Sequence, residues 1–436
     1  MRTFTILWFG QLVSAIGSTM TYFGSVIWMW SLSESATTLS LGGFFGIATS
    51  LVLTLFSGII VDRINRKLLI LISDLVAGLS TVVLLILSLT NHLEIWHLYV
   101  AIAINTPFNQ IQILAYQASI SLLVPPQHYT RATSMGAALN FGSSILAPAL
   151  AGICYPVIGL VGILVIDILT FGVAIITLLL TPIPQPQPSD SEKLSQQTLS
   201  QQTIWKQITF GFSYVWPKSG LLALLTVTTL FGFAHDIGAA IYEPMILARS
   251  GGDSNILGFA ASAAGAGGIT GAIIVSIWGG TKRRINGVLS AMMGAGISKI
   301  IFGLGQTAFV WIPAQFCSSL NFPLMGSSDT SIWLTQVSPD IQGRILAMRS
   351  LMRQSVSAIA YLIAGPLADY IFEPAMQPGG VLSPFFSPLF GTEKGAGIAL
   401  LYVMSSVGLF IIGFLGFQSK TLKNVEKKVS SLSPNG

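Results

Sequence analysis

Gly58-Ile-Ile-Val-Asp62-Arg63-Ile-Asn65-Arg66-Lys67 is set between two long apolar runs, and four of the six residues from Asp62 to Lys67 are charged. The whole chain of 436 residues is only 8% charged, against about 25% in a soluble domain. A segment so rich in charge sits in water, whereas the runs on either side do not. Hydrophobic residues make up 52% of the chain, and its mean hydropathy is +0.74. The apolar stretches recur at the length of helices that cross a hydrocarbon layer about 30 Å thick, and the short alternating pattern of a membrane β-barrel is absent. The expected fold class is an all-α polytopic membrane protein.

Twelve spans can be placed, at about 5–30, 38–60, 68–89, 96–118, 132–155 and 157–180, then about 220–242, 255–278, 287–306, 308–332, 345–371 and 396–417. The first reads as an uncleaved signal anchor, because no small-residue cleavage site follows it. An even number of crossings puts both termini on one face. Eighteen of the 21 basic residues fall on that face, including Arg2, Arg63, Arg66, Lys67, Arg131, Lys282, Arg344, Arg349 and Lys420. Because cytoplasmic loops hold the Lys/Arg excess, both termini are expected in the cytoplasm of a plasma-membrane protein, in the inner membrane of a Gram-negative-type cell. Tryptophans at the predicted span ends, among them Trp30, Trp278, Trp311 and Trp333, fit an interfacial belt. Cys154 and Cys317 lie in apolar runs and read as small buried hydrophobes.

Between spans six and seven the composition changes to Pro182-Ile-Pro184-Gln-Pro186-Gln-Pro188 and then to a Ser/Gln-rich run. Such a segment cannot build a core. Ile204, Ile208, Phe212 and Val215 then recur at helical spacing, which suggests an amphipathic helix on the cytoplasmic face or a continuation into span seven. The expected domains are a six-helix bundle over 1–181, a connector over 182–219, a second bundle over 220–417 and a basic tail over 418–436. The halves echo each other. Ala147-Pro148 recurs as Gly365-Pro366, 218 residues later, and Val124-Pro125-Pro126 with Arg131 recurs as Val337-Ser338-Pro339 with Arg344, 213 residues later. Two parallel repeats of this kind suit alternating access around a site between the halves.

These residues carry a family likeness. Gly58-x3-Asp62-Arg63-x2-Arg66-Lys67 resembles the loop signature of the major facilitator superfamily, with Asn65 where the family usually has glycine. Ala147-Pro148-x2-Ala151-Gly152 resembles the superfamily's antiporter motif, with alanine at two of its glycine positions. The opening Leu7-Trp8-Phe9-Gly10-Gln11-x2-Ser14-x2-Gly17-Ser18 is similar to the macrolide-efflux-like branch, which includes drug and siderophore exporters. The resemblance covers residues 4 to 417. It implies a major facilitator fold with two pseudo-symmetric bundles, in which spans one, four, seven and ten line the transport path. It also implies a gating role for Gly58, Asp62, Arg63, Arg66 and Lys67, with Asp62 facing the start of span eleven near Arg349 and Arg353, and a packing role for Ala147, Pro148, Ala151 and Gly152.

Ionisable residues inside a membrane are functional candidates because each is costly to insert, by about 2.5–3.5 kcal/mol at the centre. Asp236 lies about two-thirds of the way across span seven, and Glu243 lies seven residues further along the same helical face. A carboxylate that alternates between dry and wet surroundings can load and release a proton. Glu243 alternatively reads as a hydrated helix-end residue beside Pro244. His235 is a further proton candidate or a packed histidine. Asp329 near the end of span ten reads as a coupling carboxylate or as a partner of Arg344 or Arg349. Lys299 can snorkel to the headgroups or pair with Asp236, Glu243 or an anionic cargo. Asp74 and Asp167, on spans that the resemblance makes scaffold, read as structural. Gln11, Ser14, Asn105, Asn109, Gln112, Gln315, Ser318 and Asn321 form polar stripes that suit a substrate cavity or interhelical hydrogen bonds.

Four scattered histidines and no metal-spaced cluster or phosphate loop leave metal catalysis and ATP hydrolysis without parts, so no cofactor and no enzyme is expected. The net charge of +5 follows from topology and needs no nucleic acid. The expected partners are a small-molecule substrate, protons and membrane lipid; the oligomeric state is left open, and a monomer fits. The expected function is secondary active export of a small amphipathic molecule, such as a drug, siderophore or secondary metabolite, by proton antiport. Uptake or uniport, and a non-transporting receptor or scaffold, are the alternatives.

Overall fold

The computed structural model describes residues 1–54, 60, 64–182 and 204–426, with backbone only for Arg2, Thr130 and residues 204–208. Gly58, Asp62 and Arg63, the Pro/Gln/Ser run of the connector and the last ten residues lie outside the described residues.

Spans one to four are the helices Arg2–Ser33, Ala36–Thr54, Arg66–Leu89 and Ile95–Leu123. Spans five and six form one run, Tyr129–Leu180, broken where Gly159 takes φ 62° and ψ −170°. Glycine enters that region without the Cβ clash that other residues meet, and the break lets two crossings share one run. Spans seven, eight and nine are Ser219–Arg249, Ser254–Trp278 and Arg284–Leu304. Span ten is two helices, Ala308–Leu320 and Phe322–Gln336, that meet at Asn321. Span eleven is Gln342–Leu367, continued by a wide turn over Ala368–Phe372, and span twelve is Ala396–Gln418.

Nine of these helices are long and apolar enough to cross a membrane, among the described residues. The count reaches twelve crossings for three physical reasons. The Tyr129–Leu180 run holds two, span four is diluted by Asn105, Asn109, Gln110, Gln112 and Gln117, and span ten is divided into two short helices. The connector contains a separate helix, Ile204–Val215, that ends before span seven begins. The long loop before span twelve holds two short helices, Glu373–Met376 and Ser383–Phe390.

The helix ends are tied by the charged stretch that opens span three. Asn65 accepts hydrogen bonds from the amides of Lys67 and Leu68, an N-cap that replaces the usual glycine with a positive gain. Arg66 donates to the carbonyl of Ala118 at 2.7 Å, and Lys67 donates to the carbonyl of Thr181 at 2.8 Å. Lys67 therefore meets the last turn of span six, where the helix dipole is negative, and Arg66 reaches span four five residues before its end.

Apolar packing is distributed unequally between the two faces. Toward the face opposite the termini, one core runs through both halves, joining Trp30, Ala36, Leu98 and Ala147 to Ile241, Leu257, Trp311 and Ala364. Toward the face that carries the termini, each half has its own core. Phe4, Leu7, Ile70 and Leu178 form the first, and Leu224, Val288, Trp333 and Ile345 the second. The halves thus share one apolar core at one face and have separate cores toward the other, where span two still meets span eleven as Thr54 donates to Gln354 at 3.2 Å.

The seal is made by the repeated motif. Ala147 and Ala151 are fully buried, and a Cβ on Gly152 would lie 2.6 Å from the carbonyl oxygen of Ser254. Span five therefore touches span eight backbone to backbone, as small residues permit, and Ser254 donates to the Gly152 carbonyl at 3.0 Å. In the second half Gly365 packs in the same way onto Ala36, Thr37 and Ser40 of span two.

Two sequence expectations are corrected. Trp30, Trp311 and Trp333 are buried in the cores rather than standing in an interfacial belt, because their indoles fill helix junctions; Trp311 donates to the Gly305 carbonyl at 3.1 Å. Trp96, Trp216 and Trp278 are exposed, as a belt requires. Cys317 is exposed rather than buried, and both cysteines are free thiols.

Candidate functional site

The larger of two cavities among the described residues, about 1120 Å³, is lined by spans one, three, four, five and six. Its wall runs from Met29 and Leu98 near the sealed face to Ser121 and Tyr129 near the face of the termini. Gln11, Ser14, Asn105, Asn109 and Gln112 all line it, so the polar stripes of spans one and four converge as the helical spacing requires.

Two carboxylates that read as structural in the sequence also stand in this wall. Asp74 accepts hydrogen bonds from Gln11 at 3.1 Å and from Gln112 at 2.6 Å, while Gln112 also donates to Gln11 at 2.7 Å. Asp167 accepts from Ser18 at 3.1 Å, Thr21 at 3.0 Å and Thr81 at 2.8 Å. Both are held inside the first half, as expected, but they face a cavity with no Lys, Arg or His among its lining residues. No local signal in the sequence marked this, because the amides that face Asp74 and the hydroxyls that face Asp167 stand on other spans.

A second cavity, about 310 Å³, lies within the other half between spans seven, nine and ten. His235, Lys299, Gln315 and Ser318 line it with Tyr242, Ser319, Ala239 and Phe322. The ring of His235 stacks on Phe231 at 6.3 Å and leans on Phe322 at 4.9 Å. Lys299 is 5% exposed and donates to the Tyr402 hydroxyl at 3.2 Å, so its stem turns into the bundle instead of snorkelling to the headgroups. Asn321 lines neither cavity; its amide donates to the Cys317 carbonyl at 2.8 Å and supports the break in span ten.

The remaining carboxylate candidates have distinct partners. Asp236, 5% exposed, pairs with Arg353 of span eleven at 3.6 Å. Glu243 accepts a hydrogen bond from Tyr22 at 3.3 Å, a contact between span seven and span one that joins the halves. Asp329 forms an ion pair with Arg349, whose guanidinium lies over Trp333, and Trp333 donates to the same carboxylate at 3.2 Å. Asp329 is therefore placed as a helix-end partner of span eleven. Both arginines offered to Asp62 by the sequence are engaged by Asp329 and Asp236. The structure also shows Asp369 of the turn after span eleven accepting from the Ser35 hydroxyl at 2.6 Å and from the amides of Ala36 and Thr37 at 3.0 and 2.8 Å. Nothing in the local sequence marked that contact.

Comparison with known proteins decides the family. A model of the Major Facilitator Superfamily matches residues 7–361. The chain belongs to that superfamily. Its members are membrane transporters and not enzymes, and twelve crossings in two pseudo-symmetric bundles are their fold. Macrolide efflux protein A of Streptococcus pyogenes is 24% identical over 371 residues, covering 84% of this chain and 90% of that protein. Among solved structures, a bacterial homologue of the human lysosomal transporter Spinster, inward-facing and unoccupied, superposes with a TM-score of 0.67 at 13% identity, covering 100% of this chain and 98% of its own. A bacterial homologue of the iron transporter ferroportin, also inward-facing, superposes with a TM-score of 0.66 at 12% identity, covering 98% and 99%.

Proposed function

We propose that this major facilitator protein exports a small amphipathic molecule from the cytoplasm by alternating access, in exchange for protons. The observation that carries the reading is the unequal packing: one core seals the halves at the face opposite the termini, and the 1120 Å³ cavity extends toward the other. The basic residues assign the face of the termini to the cytoplasm, which makes this an inward-facing, loading arrangement in the plasma membrane. Macrolide efflux relatives support an amphipathic cargo, as do cavity walls that mix amides and hydroxyls with Val26, Leu98 and Phe171.

In this account the bodies that rock are 1–181 and 220–417, joined by the connector. Gln11, Ser14, Asn105, Asn109 and Gln112 contact the cargo. Asp236 carries the exchanged proton, because protonation cancels its charge and releases Arg353, while Glu243 with Tyr22 senses whether the halves are closed. The charged stretch from Gly58 to Lys67 latches the cytoplasmic face in the opposite state. The test is cellular and then chemical. Cells lacking the protein should retain more macrolide or lipophilic dye; lower retention would indicate uptake and contradict export. Asp236→Asn should abolish proton-driven movement and leave substrate counterflow; proton coupling that is unchanged would remove Asp236.

A further inference from the structure

In the first half a carboxylate on span six, Asp167, is held by neutral hydroxyls from spans one and three. The same level of the second half is charged. The 218-residue offset that relates Ala147-Pro148 to Gly365-Pro366 carries Ser18 to Asp236 and Thr81 to Lys299. Asp236 is matched by Arg353 at 3.6 Å, whereas Lys299 has no carboxylate within 4 Å among the described residues and is held only by the neutral Tyr402 hydroxyl. Arg353 is 60% exposed and solvated, whereas Lys299, 5% exposed, stays without a directly paired carboxylate, so its positive charge is the surplus one inside the bilayer, where an unmatched charge is costly.

That surplus charge faces a cavity. Of the residues lining the 310 Å³ pocket, Lys299 is the one Lys or Arg. Three further lining side chains, His235, Tyr242 and Gln315, each have a buried polar atom without a hydrogen-bond partner: Nδ1, the phenol oxygen and Oε1. Buried polar groups are normally satisfied, so three orphans and a lone ammonium around one pocket mark it as built for a ligand. The Lys299 ammonium, the Tyr242 hydroxyl and the Ser318 and Ser319 hydroxyls can donate to one acceptor group, the Gln315 Oε1 can accept from a hydroxyl or amide on the same molecule, and Phe322 and Tyr242 supply aromatic walls. The larger cavity, with Asp74 and Asp167, would repel an anion.

We infer that the pocket between spans seven, nine and ten is an anion subsite that takes a carboxylate on a small aromatic or acyl body, with Lys299 as its counter-ion. The inference rests on the export reading in one respect, that this end belongs to the transported molecule; binding itself does not depend on transport.

The experiment is calorimetric titration of the full-length protein in nanodiscs at pH 7.5 with benzoate, benzamide and benzylammonium. Benzoate should bind at least tenfold more tightly than either analogue, and Lys299→Met should weaken it at least tenfold. Ser318→Phe, which fills the pocket and leaves Lys299 in place, should block benzoate as well, and it serves as the test if Lys299→Met does not fold. Failure of benzoate to bind, equal binding of benzylammonium, or benzoate binding that survives either variant would overturn the subsite. Benzoate binding without any gradient-driven export would keep the subsite and sink the export reading, while export without benzoate binding would do the reverse.

Discussion

Asp369 accepts the backbone amide of Thr37 at 2.8 Å, so a carboxylate at the end of span eleven caps the amino terminus of span two across the two halves. The carboxylate meets the positive end of the helix dipole and satisfies donors that a helix start leaves without partners. Lys394 and Glu34 form an ion pair at the same face. Asp369→Ala should weaken the sealed face by about 2 kcal/mol, which is roughly a thirtyfold shift toward the state open at that face. Distances between spin labels on spans two and eleven read this directly: a longer population should appear in the variant.

The glycine seams give a second expectation. Gly152→Val places a side chain against the Ser254 carbonyl, and Gly365→Val does the same against span two. Overpacking of this kind costs about 1–3 kcal/mol, and here it falls on the closed seam rather than on either bundle. Both variants should lose transport while each keeps near wild-type helicity by circular dichroism and a monodisperse elution profile.

The two cavity carboxylates should differ in stability when truncated. Asp167→Ala strands the hydroxyls of Ser18 and Thr21, at about 1 kcal/mol for each lost bond, while Thr81 keeps the Ala77 carbonyl as acceptor. Asp74→Ala leaves Gln11 and Gln112 bonded to each other, so its cost should be smaller. Thermal unfolding in detergent should rank wild type above Asp74→Ala and Asp74→Ala above Asp167→Ala.

Much of this architecture was legible in the sequence. Spans followed from apolar length, the repeat from Ala147-Pro148 and Gly365-Pro366, and the polar stripes of spans one and four from spacing. The pairing of side chains was not. Asp236 and Arg353 are 117 residues apart, Tyr22 and Glu243 are 221 apart and Ser35 and Asp369 are 334 apart, and helical periodicity fixes which face a residue occupies but not which helix lies opposite. The same limit explains Trp311 and Trp333: position near a span end fits an interface, and only the neighbouring helices decide whether the indole is covered. Asn65 was a departure from the family pattern in the sequence and becomes an N-cap in the structure.

Lys67 supplies a prediction outside the membrane. Lys67→Met removes a cation from the carboxyl end of span six, where such a charge contributes about 0.3–1 kcal/mol. Its unfolding midpoint should fall slightly, Lys67→Arg should restore it, and cysteine-accessibility mapping should give an unchanged topology for both.

Proton-driven movement in proteoliposomes tests the central claim most directly. With the purified protein oriented so that the face of its termini is outside and the lumen acidified, a macrolide or lipophilic dye should accumulate in the lumen and leak out when a protonophore collapses the gradient. Absence of gradient-dependent accumulation across a panel of macrolides, siderophores and dyes, in vesicles shown to contain folded protein, would contradict the account.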